Sequence, residues 1–226
     1  MSLFDKYIVE AIENNKIHVT GVLHVGAHNA EELGFYHGFL DDACKNQILW
    51  IEGNPDKIKD LKARGINNVY NAVIADKDDE HVVFNVAYNT QSLSILPLGL
   101  HAIEHPDIRY VNEFEAKTVT LKTFFDDLKI DATVYNYWHL DIQGAELMAL
   151  KGAGSLLKNV DVISIEVNTK EIYKGAPLIG DIDEYLQNTE NLRDFGNFQR
   201  VLTKISKHGW GDALYLKKKK YTTYCP

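Results

Sequence analysis

The sequence predicts an α/β fold in which a mostly parallel sheet is covered by helices on both faces. Two observations lead to this prediction: short apolar runs alternate with segments of helical periodicity, and two strand patterns around a tight glycine turn end the chain. A third observation concerns the number of domains. No internal repeat, low-complexity tract or linker rich in Pro, Gly and Ser interrupts the 226 residues, so we expect a single domain over residues 1–226.

The first part of the chain consists of strand–helix units. Apolar residues spaced three and four apart predict helices, and short apolar runs predict strands. Gly53, Pro55 and Gly65 mark the ends of these elements. The predicted elements are a helix at 3–12 within an N-terminal segment of residues 1–20, strands at 22–25, 48–51 and 69–74, and helices at 30–44 and 56–63.

The alternation is interrupted after residue 80. Residues 81–88 have a strand pattern with no helix before them, and residues 89–115 form a loop-like insertion broken by Pro97, Gly99 and Pro106. The alternation then resumes with an extended start and a short helix at 118–128, strands at 134–140, 160–167, 200–205 and 213–217, and helices at 144–157 and 177–187.

Composition narrows the classes of function. The chain has 32 acidic and 24 basic residues and a net charge of -8, which argues against a broad duplex-binding face. No apolar run approaches the length of a membrane span, and two cysteines are too few for a disulfide framework. We therefore expect a cytoplasmic protein with no nucleic-acid or membrane partner. The sequence does not indicate an oligomeric state.

Residues directly after the predicted strands are the first candidates for binding, because ligands of such sheets lie at the carboxyl ends of the strands. Gly26 follows the first strand and allows a tight turn, and Glu52 follows 26 positions later at the end of the second strand. An acid at that place typically accepts hydrogen bonds from ribose hydroxyls. Together they favour an adenosine site over a plain turn and a solvated acid. Asn71 and Ala72, after the third strand, suit an adenine edge or are ordinary strand residues.

Two carboxylates are expected at the mouths of the next two strands. Asp141 follows the strand at 134–140, and Glu166 lies at the end of the strand at 160–167. Facing one crevice, they form an acid/base or cation site. Glu146 falls on the first turn of the following helix, where a carboxylate also suits the helix dipole.

Four blocks of sequence resemble the signature blocks of the FkbM family of S-adenosylmethionine-dependent O-methyltransferases. They are residues 23–28 (LHVGAH), 50–55 (WIEGNP), 140–147 (LDIQGAEL) and 165–167 (IEV), with KGA at 151–153 following the third. The resemblance implies a class I methyltransferase (Rossmann-like) three-layer sandwich, with seven strands and an antiparallel last strand. It also implies methyl transfer to a hydroxyl, often of a sugar or other glycan.

The resemblance further implies which residues hold S-adenosyl-L-methionine. The loop after Gly26 contacts its methionine part, Glu52 its ribose, and Asn71 and Ala72 its adenine. The full set of expected cofactor contacts is His24, Gly26, Ala27, His28, Glu32, Glu52, Asn54, Asn71, Ala72 and Asp141. The chain departs from the family where His24 and Gln143 replace common acids and Ala30 replaces a common glycine.

Methyl transfer to a neutral hydroxyl needs a base that removes its proton. Asp141 is the first candidate, Glu166 the second and His139 the third; His139 lies deeper on its strand and is otherwise a core histidine. If Asp141 holds the cofactor amine instead, the base is Glu166 or a histidine. The insertion is expected to cover the acceptor, which Gln91, Ser92 and Ser94 would bind. Trp210 either stacks on a sugar face or caps the core.

Other classes of function remain open at this stage. The segment HAIEH at 101–105 matches an inverted zinc-protease motif, although Pro and Gly residues leave little room for a helix. Tyr215 and Lys219 have the spacing of a dehydrogenase pair, which would make the chain an NAD-dependent enzyme. A catalytically silent nucleotide-binding module is a further alternative. A divalent cation between Asp141 and Glu166 is possible but is not our prediction.

Overall fold

The fold is seen in a computed structural model that describes residues 2–88, 93–100, 109–188, 192 and 197–218. Within these ranges the strands are β1 (Val22–Val25), β2 (Ile48–Glu52), β3 (Val69–Asn71), β4 (Val73–Ile74), β5 (His81–Ala87), β6 (Tyr110–Val119), β7 (Tyr137–Leu140), β8 (Val162–Asn168), β9 (Phe198–Ile205) and β10 (Trp210–Lys217). The α-helices are α1 (Leu3–Asn14), α2 (Leu33–Phe39), α3 (Pro55–Ala63), α4 (Leu121–Leu128), α5 (Glu146–Ala153) and α6 (Ile179–Gln187).

The described strands form a main sheet of seven in the order β3-β2-β1-β7-β8-β10-β9. The pairs from β3 to β8 are parallel, whereas β10 is antiparallel to both β8 and β9. The order reverses between β1 and β7, so a crevice opens there at the carboxyl ends of the strands. The predicted α/β class, the mostly parallel sheet and the antiparallel last strand are confirmed.

Alternating side chains send two apolar cores to opposite faces of the main sheet. Val22 and Trp50 share one core with residues of α1, α2 and α3, namely Phe4, Ile8, Tyr36, Ile58 and Leu61. Their strand neighbours Leu23 and Ile51 share the other core with residues of α4, α5 and α6, namely Phe124, Phe125, Leu150, Ile182 and Leu186. The helices therefore cover both faces, which gives the predicted three layers.

The predicted helix at 30–44 is shorter in the structure. His28 and Ala30 have φ angles of 41° and 54°, and a helix cannot continue through this left-handed conformation. As a result α2 begins only at Leu33, and it ends at Phe39 before a run of turns. The periodicity of the apolar residues carried no information on these backbone angles.

The strand predicted at 69–74 is divided between two sheets. β3 pairs with β2 in the main sheet, while β4 pairs with β6 in a second sheet of order β4-β6-β5. β6 starts at Tyr110, so the last residues of the predicted insertion at 89–115 are strand, not loop. The first residues of β6 are mostly exposed, and their pattern lacks the continuous apolar run of a central strand.

Other boundaries move by a few residues for local reasons. β7 begins at Tyr137 because Ala132–Val134 forms a 3₁₀ turn, which the side chain of Asp131 caps. α5 ends at Ala153, and Gly154–Asn159 continues as a 3₁₀ helix after a glycine at positive φ. None of the helices in the described ranges has the length and apolar character needed to cross a bilayer.

Candidate functional site

A cavity of about 440 Å³ opens at the carboxyl edge of the main sheet. It lies over the ends of β1, β2, β7 and β8, and the start of antiparallel β10 reaches the same edge. The sequence-predicted residues that line it are His24, Gly26, His28, Glu32, Glu52, Ala72, Ser94, Asp141, Glu166 and Trp210. Ala27, Asn54, Asn71 and His139 are near this edge but do not line the cavity.

The turn after β1 places backbone directly beside the next strand of the site. Gly26 has a φ of 96°, and a Cβ built on it would lie 1.8 Å from the carbonyl oxygen of Asp141. The Gly26 and Ala27 N–H groups donate to the Ile51 carbonyl, at 2.9 and 3.1 Å. Glycine is therefore required here both for its conformation and for the close approach of the two chain segments.

Glu52 connects two loops at the end of β2. Its carboxylate accepts the N–H of His28 at 2.9 Å through one oxygen and the N–H of Asn54 at 2.8 Å through the other. The side chain is 4% exposed, and burial raises its pKa while the two backbone hydrogen bonds oppose that shift. Each oxygen keeps a lone pair for a ligand hydroxyl.

Asn54 and Asn71 organise this corner from outside the cavity. The Asn54 side chain accepts the N–H of Asp56 at 3.0 Å and so caps α3. The Asn71 side chain donates to the carbonyls of Glu52 and Gly53, at 2.8 and 2.9 Å. Both residues hold the loop that carries Glu52, and direct contact with a cofactor stays a prediction for them.

The loop after β7 is a left-handed turn closed by a buried carboxylate. Gln143 and Gly144 have φ angles of 56° and 100°. Glu146, 1% exposed, accepts the N–H groups of Ile142 and Gly144 at 2.9 and 3.0 Å. This turn directs Asp141 and Gln143 into the cavity.

Gln143 joins the two predicted carboxylates, a role that the sequence did not reveal. Its amide nitrogen donates to Asp141 Oδ1 at 2.6 Å and to Glu166 Oε2 at 3.1 Å. Its carbonyl oxygen accepts the hydroxyl of Tyr173 at 2.5 Å. Burial raises the pKa of both Asp141 and Glu166, and for Glu166 the nearby carboxylates of Asp141 and Glu146 raise it further.

His139 belongs to a buried polar chain behind the cavity. Its Nδ1 lies 2.6 Å from the hydroxyl of Tyr36, which lies 2.9 Å from His24 Nδ1, and the two imidazoles stack at 4.3 Å. Burial lowers the pKa of His139 to about 4 and that of His24 well below its ordinary value. Of the two histidines, only His24 reaches the cavity, where Glu32 Oε2 lies 3.8 Å from its Nδ1.

The comparison with known proteins agrees with this geometry. The family model described as the methyltransferase FkbM domain matches residues 24–197. The chain belongs to the FkbM methyltransferase family. The match includes the end of β1 and all of β2, β7 and β8, whose ends form the cavity. A search of curated proteins finds no match.

One solved structure has a similar fold, and two others align with lower TM-scores. Methyltransferase FkbM from Methylobacillus flagellatus KT aligns with a TM-score of 0.50 and 16% identity, over 87% of this chain and 43% of that protein. The chain thus spans less than half the length of that FkbM protein. A methyltransferase from Escherichia coli, yhhF, aligns with a TM-score of 0.41 and 10% identity over 96% and 87% of the two chains. EvdMO1 aligns with a TM-score of 0.36 and 13% identity over 95% and 40%.

Two of the four residues predicted to bind the substrate line the cavity. Trp210 is 41% exposed at the rim of the cavity. Ser94 lines the cavity, but its hydroxyl donates to the Gln143 carbonyl at 2.8 Å and accepts the Leu96 N–H at 2.9 Å. Gln91 and Ser92 lie outside the described residues.

Two aromatic residues of the lining escaped the sequence analysis. Phe84 on β5 packs against Gly53, where an added Cβ would lie 2.5 Å from the ring. Tyr173 lies 30 residues from its partner Gln143. Neither position has a local pattern that distinguishes it from an ordinary core aromatic.

The structure also bears on the alternative classes of function. Tyr215 points away from the cavity lining, and its hydroxyl donates to Asp183 Oδ1 at 2.8 Å. Its proposed partner Lys219 and the HAIEH segment lie outside the described residues. Oxygens of Asp141, Glu146 and Glu166 lie within 4.8 Å of one another, a donor set compatible with a divalent cation. However, backbone and amide N–H groups already occupy much of that set.

Proposed function

We propose that the protein is an S-adenosyl-L-methionine-dependent methyltransferase that acts on a hydroxyl oxygen of a small molecule or glycan. The observation that carries this proposal is that one cavity of an FkbM domain brings together Glu52, the Gly26 turn and Asp141. These groups follow one another along the sheet edge on β2, β1 and β7.

The residues fit the cofactor in chemistry and in size. The free lone pairs of the Glu52 carboxylate suit two ribose hydroxyls. An apolar wall beside it, formed by Ile51, Ala72, Val73, Ile74 and Phe84, suits an adenine ring. At the other end, Glu32 suits a methionine amine. The volume of about 440 Å³ lies within the range of small-molecule sites.

The bound cofactor supplies a methyl group on a positively charged sulfur, in line with which the acceptor oxygen must lie. Holding that line is the main task of the protein. We propose that Asp141 accepts the hydroxyl proton as the carbon–oxygen bond forms, because its Oδ1 is fixed by Gln143 while Oδ2 has no partner among the described residues. A raised pKa makes this carboxylate a better base than a solvated one.

His139 is poorly placed to act as the base. It does not line the cavity, and its Nδ1 is engaged by the Tyr36 hydroxyl. Glu166 keeps contact with the cavity and stays the second candidate.

The test is methyl transfer from S-adenosylmethionine labelled in its methyl group to a panel of polyols and glycosides. We expect an alkali-stable methyl ether, identified by mass spectrometry. Asp141→Asn should lose transfer while it still binds S-adenosylhomocysteine. Label found on nitrogen would contradict the proposed hydroxyl acceptor, and cofactor binding with no transfer to any acceptor would favour the silent binding module.

A further inference from the structure

The charged residues that line the cavity are mainly acidic, and this restricts the acceptor that can bind there. The acidic residues of its lining are Glu31, Glu32, Glu52, Asp141 and Glu166, and its described lining contains neither lysine nor arginine. Residues 89–92 and 101–108, which lie outside the described residues, also contain neither lysine nor arginine in the sequence. The carboxylates of the lining would repel an acceptor with a phosphate or carboxylate.

Glu166 is a buried acid with few hydrogen-bond donors around it. It is 9% exposed, and its single hydrogen bond within the described ranges is the 3.1 Å contact from Gln143 to Oε2, so that Oε1 has no partner there. Directly opposite in the β8–β10 ladder lies Asp212. A buried carboxylate between other carboxylates is unfavourable until positive charge or further donors reach it.

The charged side chains near Glu166 do not compensate its negative charge. Asp141, Glu146 and Asp212 all raise the pKa of Glu166. Lys204 opposes the upward pKa shift of Asp212. A cationic ligand group would therefore gain from all of these carboxylates at once.

Position along the sheet separates Glu166 from the cofactor end. Strands lie about 4.8 Å apart, so β8 lies three spacings, or about 14 Å, from β2 and its Glu52. If the ribose lies at Glu52, as the proposed function requires, the methionine part lies over β1 and β7. Glu166 then belongs to the acceptor side, together with Tyr173 and the exposed indole of Trp210.

We propose that the acceptor is an amino sugar or a comparable amino alcohol, whose ammonium group is bound by Glu166 and faces Trp210. An ammonium can donate an N–H to the unpartnered Oε1, and an indole face attracts a cation. This inference rests on the proposed methyltransferase function and extends it to the substrate class.

The same contact determines which acceptor atom reacts. An amine held as ammonium beside Glu166 has no free lone pair, so it does not attack the methyl group. The methyl carbon leaves sulfur and bonds to the acceptor oxygen, the hydroxyl proton passes to Asp141, and the ammonium is unchanged. Glu166 thereby selects O-methylation on a molecule that also contains nitrogen.

The test measures acceptor affinity on the protein saturated with S-adenosylhomocysteine. The probes are aminocyclitols and amino sugars, each paired with its N-acetylated, its deaminated and its phosphorylated counterpart. We expect the free-amine member of a pair to bind about tenfold tighter or better. Glu166→Gln should bring the members of a pair to within about twofold, while the affinity for S-adenosylhomocysteine stays unchanged. The control Glu184→Gln, an exposed acid on α6, should keep the preference.

Several outcomes would overturn the proposal. The proposal is overturned if the neutral or anionic members of the pairs bind as well as the amines, or if no compound of the panel shows amine-dependent binding. An amine preference that persists in Glu166→Gln would also overturn it. Acceptor binding that requires added Mg²⁺ or Mn²⁺ would assign the carboxylates to a metal instead. If Glu166→Gln unfolds, Trp210→Ala provides the second variant and should weaken the preference. Failure of the wild-type protein to bind S-adenosylhomocysteine would refute the proposed function separately.

Discussion

Replacing Glu52 by glutamine separates the structural role of this carboxylate from its role in cofactor binding. The carboxylate accepts backbone N–H groups from His28 and Asn54 at 2.9 and 2.8 Å. Glutamine has one oxygen, so one of these N–H groups would face an amide NH₂, which costs about 1–3 kcal/mol. Loss of a buried charge offsets part of this, since burial disfavours the ionised form. We expect a net loss of about 1–2 kcal/mol in the free energy of unfolding.

The effect of Glu52→Gln on affinity should be larger than its effect on stability. Hydrogen bonds from ribose hydroxyls to a carboxylate are charge-assisted, so their loss should raise the Kd for S-adenosylhomocysteine about 10- to 100-fold. Urea unfolding and calorimetric titration measure the two quantities. The control is Asp56→Asn, which replaces an exposed acid three residues after Gly53 and should change neither the stability nor the Kd by much. An unchanged Kd with reduced stability would mean that Glu52 only organises the loop.

Three further predictions follow from the same geometry. Gly26→Ala should lower the free energy of unfolding by about 2–5 kcal/mol, because the added Cβ meets the Asp141 carbonyl. The control Gly38→Ala in α2 meets nothing within 4 Å and should raise the free energy of unfolding by up to about 1 kcal/mol. A loss below about 1 kcal/mol for Gly26→Ala in urea unfolding would contradict the close approach. Asp141→Asn should lower the rate of methyl transfer about 10²- to 10⁴-fold at unchanged S-adenosylhomocysteine affinity, and near-normal transfer would pass the role of base to Glu166. Burial raises the pKa of Glu32 to about 7 and that of Asp212 to about 6, so the folded state holds these protons more tightly than the unfolded chain. The stability from this difference is complete below about pH 4 and is lost towards about pH 7. The buried histidines His24 and His139 contribute the opposite trend in wild type and variant alike, so the urea midpoint of the wild type minus that of Glu32→Gln should fall over that rise in pH; a difference that rises between about pH 5 and 7 would refute this.

Sequence patterns predicted the parts of the fold that depend on local signals. The alternating apolar runs define the strands of the main sheet, and the acids at their ends lead to Glu52, Asp141 and Glu166. Each of these lies where a strand meets the carboxyl edge, and all three line the cavity. Topology alone brings them together, since parallel strands end at one edge of the sheet.

The remainder depends on contacts between distant residues, which no local pattern encodes. The β3–β4 division arises because β6, about 40 residues later, takes Val73 and Ile74 into a second sheet. Gln143 links Glu166 and Tyr173, which lie 23 and 30 residues away from it in sequence. His139, deeper on its strand than Asp141, proved to be paired with Tyr36, 103 residues away in sequence.

The central claim is that this cavity binds S-adenosylmethionine, and calorimetric titration of the wild-type protein tests it most directly. S-Adenosylhomocysteine is the ligand, and NAD is the comparison that represents the dehydrogenase alternative. The geometry of Glu52, the Gly26 turn and Asp141 predicts one site per chain for S-adenosylhomocysteine and no heat of binding with NAD. Binding of NAD alone, or of neither ligand, would contradict the account.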